Sequence, residues 1–410
     1  MAGAAADFGA RAMALAERLA QHTETPPGLS CTYFSAAHRA AAADLAALMH
    51  AAGMETRIDA VGNVAGRYAA KDKTARAVMV GSHYDTVLNA GKYDGRLGIV
   101  VALTVVEHLA RAGERLPYNL DVVAFSEEEG VRFSASYIGS SAIAGRFDPG
   151  FLELRDTRGI SLGDALRQAG SDPATIPALA RRKDDLAAYL EVHIEQGPVL
   201  LDSDQPLGVV TAIAGNSRYN VSIDGVAGHA GTVPMAFRHD AAAAAAEIVL
   251  FVESRCNRTG LAGTVGRLAV PDGAINVVPG RCELSLDIRS GDDVLRKAAV
   301  ADILTEIDAV ARRRGVGIAA TPVLDARAVP CSPRLQDALA SAIAREGLPV
   351  QRLPSGAGHD AVMFDGLTEI GMLFVRCGNG GVSHNPRETV AAADAGIAAR
   401  VLLDVLRNFQ

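Results

Sequence analysis

Three apolar runs in this 410-residue chain stop at the same kind of place. Residues 77–80 lead into His83, residues 119–125 run straight into Glu127, Glu128 and Glu129, and residues 187–194 carry His193 and end at Glu195-Gln196-Gly197. Short, almost purely apolar runs are the pattern of strands buried on both faces. A helical periodicity over 97–112, closed by Gly113, sits between two of them. Strand and helix in alternation predict an α/β domain with a largely parallel sheet. Such sheets offer ligands at the carboxyl ends of their strands. The polar residues after each run are therefore candidates for one site.

The same alternation marks out the rest of the chain. A helix is expected over 35–52, stopped by Gly53, with strands over 55–59 and 63–68, and a turn-rich region leads on to about residue 182. Near residue 214 the pattern changes. Tyr219, Val221 and Ile223 alternate as a half-exposed strand, and a helix over 240–255 contains six consecutive alanines. Strands over 263–270 and 282–289, a charged helix over 292–314 and a strand over 316–323 follow. That order, β-α-β-β-α-β, is a two-layer, ferredoxin-like unit complete in itself. From residue 328 the first pattern resumes, with a helix over 333–346, a strand over 371–375 and a last helix from 391. The expected domains are thus 1–213 with 328–410, and an inserted 214–327.

Composition narrows the function classes. A net charge of −7 argues against a nucleic-acid partner. No apolar run approaches the roughly 18 residues of a membrane span. Asp7, Arg11, Glu17 and Arg18 interrupt the Ala-rich N-terminus, which reads as a surface helix and not a signal peptide. The five cysteines are scattered and never in a CxxC, the usage of reduced thiols in a cytoplasmic protein.

The candidate ligands share one chemistry. His83 is followed by Asp85 and, inside a Gly-rich loop, by Asp94. The glutamates 127–129 and His193 end two further strands, and His384 stands in a Gly/Pro-rich loop near the C-terminus. Imidazole and carboxylate together suit Zn2+ or Mn2+. One more acid than ligation needs is expected, because an activated water requires an uncoordinated base nearby. Adjacent glutamates can divide those duties. Asp85 is placed to accept the other ring N–H of His83 and so fix its tautomer. There is no G-x-S-x-G elbow and no cysteine in a Gly-rich strand-to-helix turn, which disfavours a serine or cysteine nucleophile.

The motifs GSHYDTV…YDG, FSEEEGVRF, EVHIEQG, GHAGTVPM, INVVPG, LDIR, SGAGHDA and GVSHNP occur in that order. The chain carrying them resembles the hydantoinase/carbamoylase branch of the M20 metallopeptidase family over nearly its whole length. That branch contains N-carbamoyl-L-amino-acid hydrolases, β-ureidopropionases and allantoate amidohydrolases. The resemblance implies two divalent metal ions, Zn2+ or Mn2+ with Co2+ and Ni2+ as further candidates. It implies His83, Glu129, His193 and His384 as terminal ligands, Asp94 as the bridge and Glu128 as general base. His229, Asn276, Arg289 and Gln196 match substrate residues, as does His359 in a supporting place. Arg289 suits a substrate carboxylate and His229 and Asn276 a polarised ureido carbonyl; without the resemblance, Arg289 reads as a strand-end charge and Asn276 as a turn residue. The resemblance also implies a homodimer formed through the inserted domain. His193 stands where the peptidases and aminoacylases of the wider family have an acid, and the His83-to-Asp94 spacing is shorter than theirs. The expected substrate is a small ureido acid, an N-carbamoyl-amino acid or allantoate, with a dinuclear peptidase or aminoacylase as the alternative.

Overall fold

A computed structural model describes residues 2–409 of the chain, with side chains from Phe8 onward. Its described residues divide into two compact units, one built from Met1–Thr211, Cys331–Leu353 and His359–Gln410, the other from Ala212–Pro330 and Pro354–Gly358.

The larger unit is a mixed α/β layer structure whose sheet is parallel at its centre. Its strands lie in the order Glu55–Ile58, Val64–Tyr68, Asn119–Phe125, Ala77–His83, Leu186–Ile194, Ile370–Val375 and Leu207–Ile213. The four middle strands, from Asn119–Phe125 to Ile370–Val375, pair in parallel. The flanking strands pair antiparallel on both sides. Every residue of Ala77–His83, Asn119–Phe125 and Ile370–Val375 is buried, which is why these segments show no polar alternation. The strand after Ala77–His83 in sequence lies on one side of it and the next, Leu186–Ile194, on the other. That reversal of winding opens a crevice at the carboxyl edge between His83 and His193.

Helices cover the sheet through one large apolar cluster, which includes Leu45, Leu97, Val101, Leu339 and Leu402. The N-terminal helix, Ala2–Leu19, is more than a surface element. It buries Phe8, Ala12, Leu15, Ala16 and Leu19 at helical spacing, and Gly9 passes so near the Ala392 carbonyl that no side chain fits between them. The Arg96–Arg111 helix lies as tightly on the sheet, because a Cβ at Gly98 would overlap the Val192 carbonyl oxygen. The turn-rich region contains short helices, among them Ile138–Ile143 and Leu162–Gln168, packed around Tyr33, Phe133 and Leu166. No helix among the described residues is long and apolar enough to cross a membrane.

In the smaller unit, Gly215–Asp224 runs between Arg281–Ser290 and Gly317–Ala326, antiparallel to both. Cys282, Leu284, Leu286 and Ile288 alternate inward and meet the Ala241–Cys256 and Asp293–Arg314 helices. The alanine run serves close packing, with Ala241, Ala244 and Ala245 fully buried. Asp240 and Asp292 cap the two helices by accepting N–H bonds. The strand expected over 263–270 is instead two short pieces, Ala262–Thr264 and Leu268–Ala269, each paired with Arg281–Ser290. Gly266 falls in the break between them and gives up side-chain packing there. The strand Leu207–Ile213 is an element the sequence pattern had not separated.

Replacing Gly98 with Ala tests the helix-to-sheet approach that sets the crevice. The methyl meets backbone, which cannot step aside as a side chain can. A loss of about 3 kcal/mol is expected, read as a lowered denaturation midpoint against the wild type.

Candidate metal centre

The crevice is lined by side chains that the strand ends deliver. His83 is the last residue of its strand and His193 the penultimate residue of its own, and they are 2% and 1% exposed. Each ring is oriented from behind. His83 Nδ1 lies 3.2 Å from the Asp85 carbonyl and 3.4 Å from the Asp85 carboxylate, and His193 Nδ1 lies 2.9 Å from the Ile194 carbonyl. Carbonyl oxygens only accept, so both Nδ1 atoms carry a hydrogen and both Nε2 atoms face the crevice. The Gly95 N–H, which donates to His193 Nε2 at 3.2 Å, agrees with that tautomer.

Asp94 sits at the focus. His83 Nε2 and His193 Nε2 lie 3.8 and 3.3 Å from its Oδ1, whereas His384 Nε2 lies 3.0 Å from its Oδ2. His384 is also 3.4 Å from Glu129 Oε1. Two ligand groups result, His83–Asp94–His193 and Asp94–Glu129–His384, each with its donor atoms within 4.8 Å of one another. They share Asp94 and use different oxygens of it. Gly95 makes the loop possible. Its φ of +66° starts the Arg96–Arg111 helix, and a Cβ there would overlap the His83 ring. His384 itself takes a φ of +53° in its loop.

The acidic turn after Phe125 is held by Asp85. Its carboxylate accepts the main-chain N–H of Glu128 at 3.1 and 3.2 Å and that of Glu129 at 3.1 Å. Asp85 therefore orients the expected base and one expected ligand as well as His83. Glu128 offers an oxygen within 4.8 Å of donor atoms on His83 and Glu129. Burial, reinforced by the neighbouring carboxylates, holds its pKa well above the ordinary value. Burial likewise raises Glu129, to about 7. It lowers His193 to about 4, keeping that ring neutral. Burial opposes ionisation of Asp94 too, but the His384 bond and the surrounding imidazoles outweigh it and hold the carboxylate far below its usual range.

The other expected residues take more varied places. Gln196, at a φ of +56°, donates its Nε2–H2 to both oxygens of Asp94 at 3.1 Å, and its buried Oε1 has no hydrogen-bond partner among the described residues. His359 is 1% exposed and packs its ring edge-on to His193, with centroids 4.5 Å apart. In the smaller unit, His229 and Asn276 are exposed neighbours on a two-stranded ribbon, where His229 pairs with Val277 and the Ala230 N–H donates to the Asn276 carbonyl. The Gly231 N–H donates to His229 Nδ1 at 3.0 Å, which leaves Nε2–H as a free-facing donor. Arg289 grips Asp287 through two bonds of 2.8 and 3.0 Å and also donates to the Gly356 carbonyl.

Two buried acids escaped the sequence reading. Glu191, two residues before His193, accepts from Ser82, Tyr189 and the Ala361 N–H. Glu388, four residues after His384, accepts from the N–H groups of Tyr93 and Asp94. The only signal for either was an acid at short spacing from a candidate ligand, which a solvated charge shares.

The donor set fits a divalent metal. It is wholly imidazole nitrogen and carboxylate oxygen, the imidazole Nε2 atoms point inward, and Asp94 offers one oxygen to each group. Protons compete for the same place. The bond to Asp94 raises His384 to about 9 in the metal-free protein, against about 6.5 for an unstrained histidine. The His384–Asp94 pair therefore stabilises the metal-free form fully below about pH 6.5 and is lost as the pH climbs through about 9. Zn2+ affinity is expected to rise over that window, with proton release at neutral pH. Calorimetric titration in buffers of different ionisation enthalpy measures both; an affinity flat with pH contradicts the pairing.

Comparison with known proteins identifies the family. Residues 79–408 match the model of Peptidase family M20/M25/M40. An N-carbamoyl-L-amino acid amidohydrolase of Geobacillus stearothermophilus is 41% identical over 92% of this chain and 92% of its own. An allantoate deiminase of Arabidopsis thaliana is 39% identical over 97% of this chain and 82% of its own. The crystal structure of an amidase of the hydantoinase/carbamoylase family from Burkholderia multivorans superposes with a TM-score of 0.91 at 30% identity, covering 97% of each chain. The chain belongs to peptidase family M20/M25/M40, within its hydantoinase/carbamoylase branch.

Proposed function

We propose that this protein is a metal-dependent amidohydrolase that cleaves the ureido C–N bond of a small carboxylic acid, an N-carbamoyl-amino acid or allantoate. It is a hydrolase of C–N bonds other than peptide bonds, as the two relatives' names describe for those proteins. The observation that carries the reading is the pair of ligand groups meeting on opposite oxygens of Asp94. His83, His193, Asp94, Glu129 and His384 would hold two ions of Zn2+ or Mn2+, with Asp94 common to both ligand groups. Bound there, they supply Lewis acidity to the ureido carbonyl and acidify a water.

The chain's own residues do the rest. Glu128, with a pKa raised by burial, takes the proton of the attacking water and returns it to the leaving nitrogen. Water adds to the carbon of R–NH–CO–NH2 and the C–N bond to R–NH breaks, leaving R–NH2 and carbamic acid, which decomposes to CO2 and NH3. The Nε2–H of His229 and the side-chain amide of Asn276 are donors suited to the oxygen on which charge develops. Arg289 recognises the substrate carboxylate, exchanging its bidentate hold on Asp287 for an equivalent one. Gln196, whose side chain lies beside Asp94, would contribute to substrate binding, and His359 supports His193.

The smaller unit leaves Met235, Phe237, Ile275 and Val323 exposed, which supports a homodimer formed through it. Five buried free cysteines support a cytoplasmic location.

Glu128→Gln is expected to keep the metal content and lower kcat by about 10²–10⁴-fold or more, measured by metal analysis beside turnover. An active variant refutes the base assignment. Ammonia release from allantoate, N-carbamoyl-β-alanine, ureidoglycolate and N-carbamoyl-L-amino acids, lost on chelation and restored by Mn2+ or Zn2+, is the expected signature. Cleavage of N-acyl amino acids or dipeptides without ammonia points to a peptidase or aminoacylase instead.

A further inference from the structure

We infer that Glu388 is a positioning residue that locks Asp94 into the orientation in which each of its oxygens serves one metal. The inference rests on the dinuclear reading above and adds a residue to it. Glu388 is 4% exposed. One oxygen accepts the N–H of Tyr93 at 2.8 Å and of Asp94 at 3.2 Å. The other lies 2.9 Å from Ser383 Oγ, which is itself 2.9 Å from Asp94 Oδ2. Asp94 is thus gripped by Glu388 at its main chain, and Ser383, whose one hydroxyl hydrogen can serve either carboxylate, sits between the two side chains.

The geometry also ties two distant parts of the chain. Glu388 and Ser383 flank His384 on the C-terminal loop, whereas Tyr93 and Asp94 belong to the loop after the Ala77–His83 strand. A carboxylate shared by two ligand groups must not turn, since rotation that favours one group withdraws an oxygen from the other. The Glu388–Ser383 link opposes that rotation and sets the reach of His384 to Asp94 Oδ2. Room for it is reserved at Gly91, where a Cβ would overlap the Glu388 carboxyl group. Gly91 has no positive φ that would demand glycine on backbone grounds.

The test is Zn2+ affinity of the full-length, metal-stripped protein, by competition with a chromophoric chelator, alongside its metal-free melting temperature. Glu388→Ala is expected to weaken Zn2+ binding about 10- to 100-fold, the usual effect of losing a ligand's outer partner. Glu388→Gln is expected to recover most of that loss. Its amide oxygen can accept the Tyr93 and Asp94 N–H bonds and its N–H2 can donate to Ser383. Gly91→Ala touches no ligand and is expected to weaken binding in the same direction, while adding little in a Glu388→Ala background. Wild type that binds no Zn2+ overturns the dinuclear reading and this inference with it. Wild type that binds two Zn2+, with Glu388→Ala and Gly91→Ala binding as tightly, overturns the role of Glu388 alone. So does a Glu388→Gln variant as weak as Glu388→Ala, or additive losses in the double variant.

Discussion

A single buried carboxylate organises the centre. Asp94 is 3% exposed and faces three imidazoles, two toward one oxygen and one toward the other. An isolated carboxylate so placed would be costly to ionise, and the opposing partners are what make it tolerable. In the metal-free protein the protonated His384 fills part of that need. Divalent ions at the same donors would meet it further, because they carry more positive charge than an imidazolium. The same low-dielectric surroundings that make Asp94 demanding also strengthen its ligation.

The rest of the larger unit can be understood as support for that group. A parallel centre in the sheet brings the ends of Ala77–His83 and Leu186–Ile194 side by side. The reversal of winding between them leaves a gap where loops of both can converge. Asp85 then serves three masters, one imidazole and two peptide N–H groups, so the turn carrying Glu128 and Glu129 cannot shift without His83. Close approaches at Gly95 and Gly98 keep the connecting helix pressed onto this arrangement.

The smaller unit follows different rules. Its sheet has one helix-covered face and clean inward alternation, the economy of an antiparallel layer. It places His229 and Asn276 together by a short ribbon in which main-chain bonds, not packing, set the geometry. That leaves both side chains exposed.

Much of this was legible before any coordinates. Strand-end histidines and acids announced a site because buried strands impose a local, period-free apolar pattern that stops abruptly, and the β-α-β-β-α-β order followed from periodicity alone. Motif order carried the family; chain position marked His83, Asp94, the glutamates 127–129, His193 and His384 as candidates, and only the resemblance singled out Glu129 among the glutamates. What stayed hidden depended on contacts across long sequence distance. Nothing near Glu388 or Glu191 indicates that they turn inward, since an acid in a loop or strand looks the same whether solvated or bound to a distant N–H. The hold of Gln196 on Asp94 is likewise a choice among partners that only folding brings within reach. Residue type and periodicity, being local properties, specify which chemical groups the protein can offer and on which elements. Only the tertiary structure decided which oxygen of Asp94 faces which imidazole, because hydrogen bonding and metal geometry act over ångströms in space and not over positions in the chain.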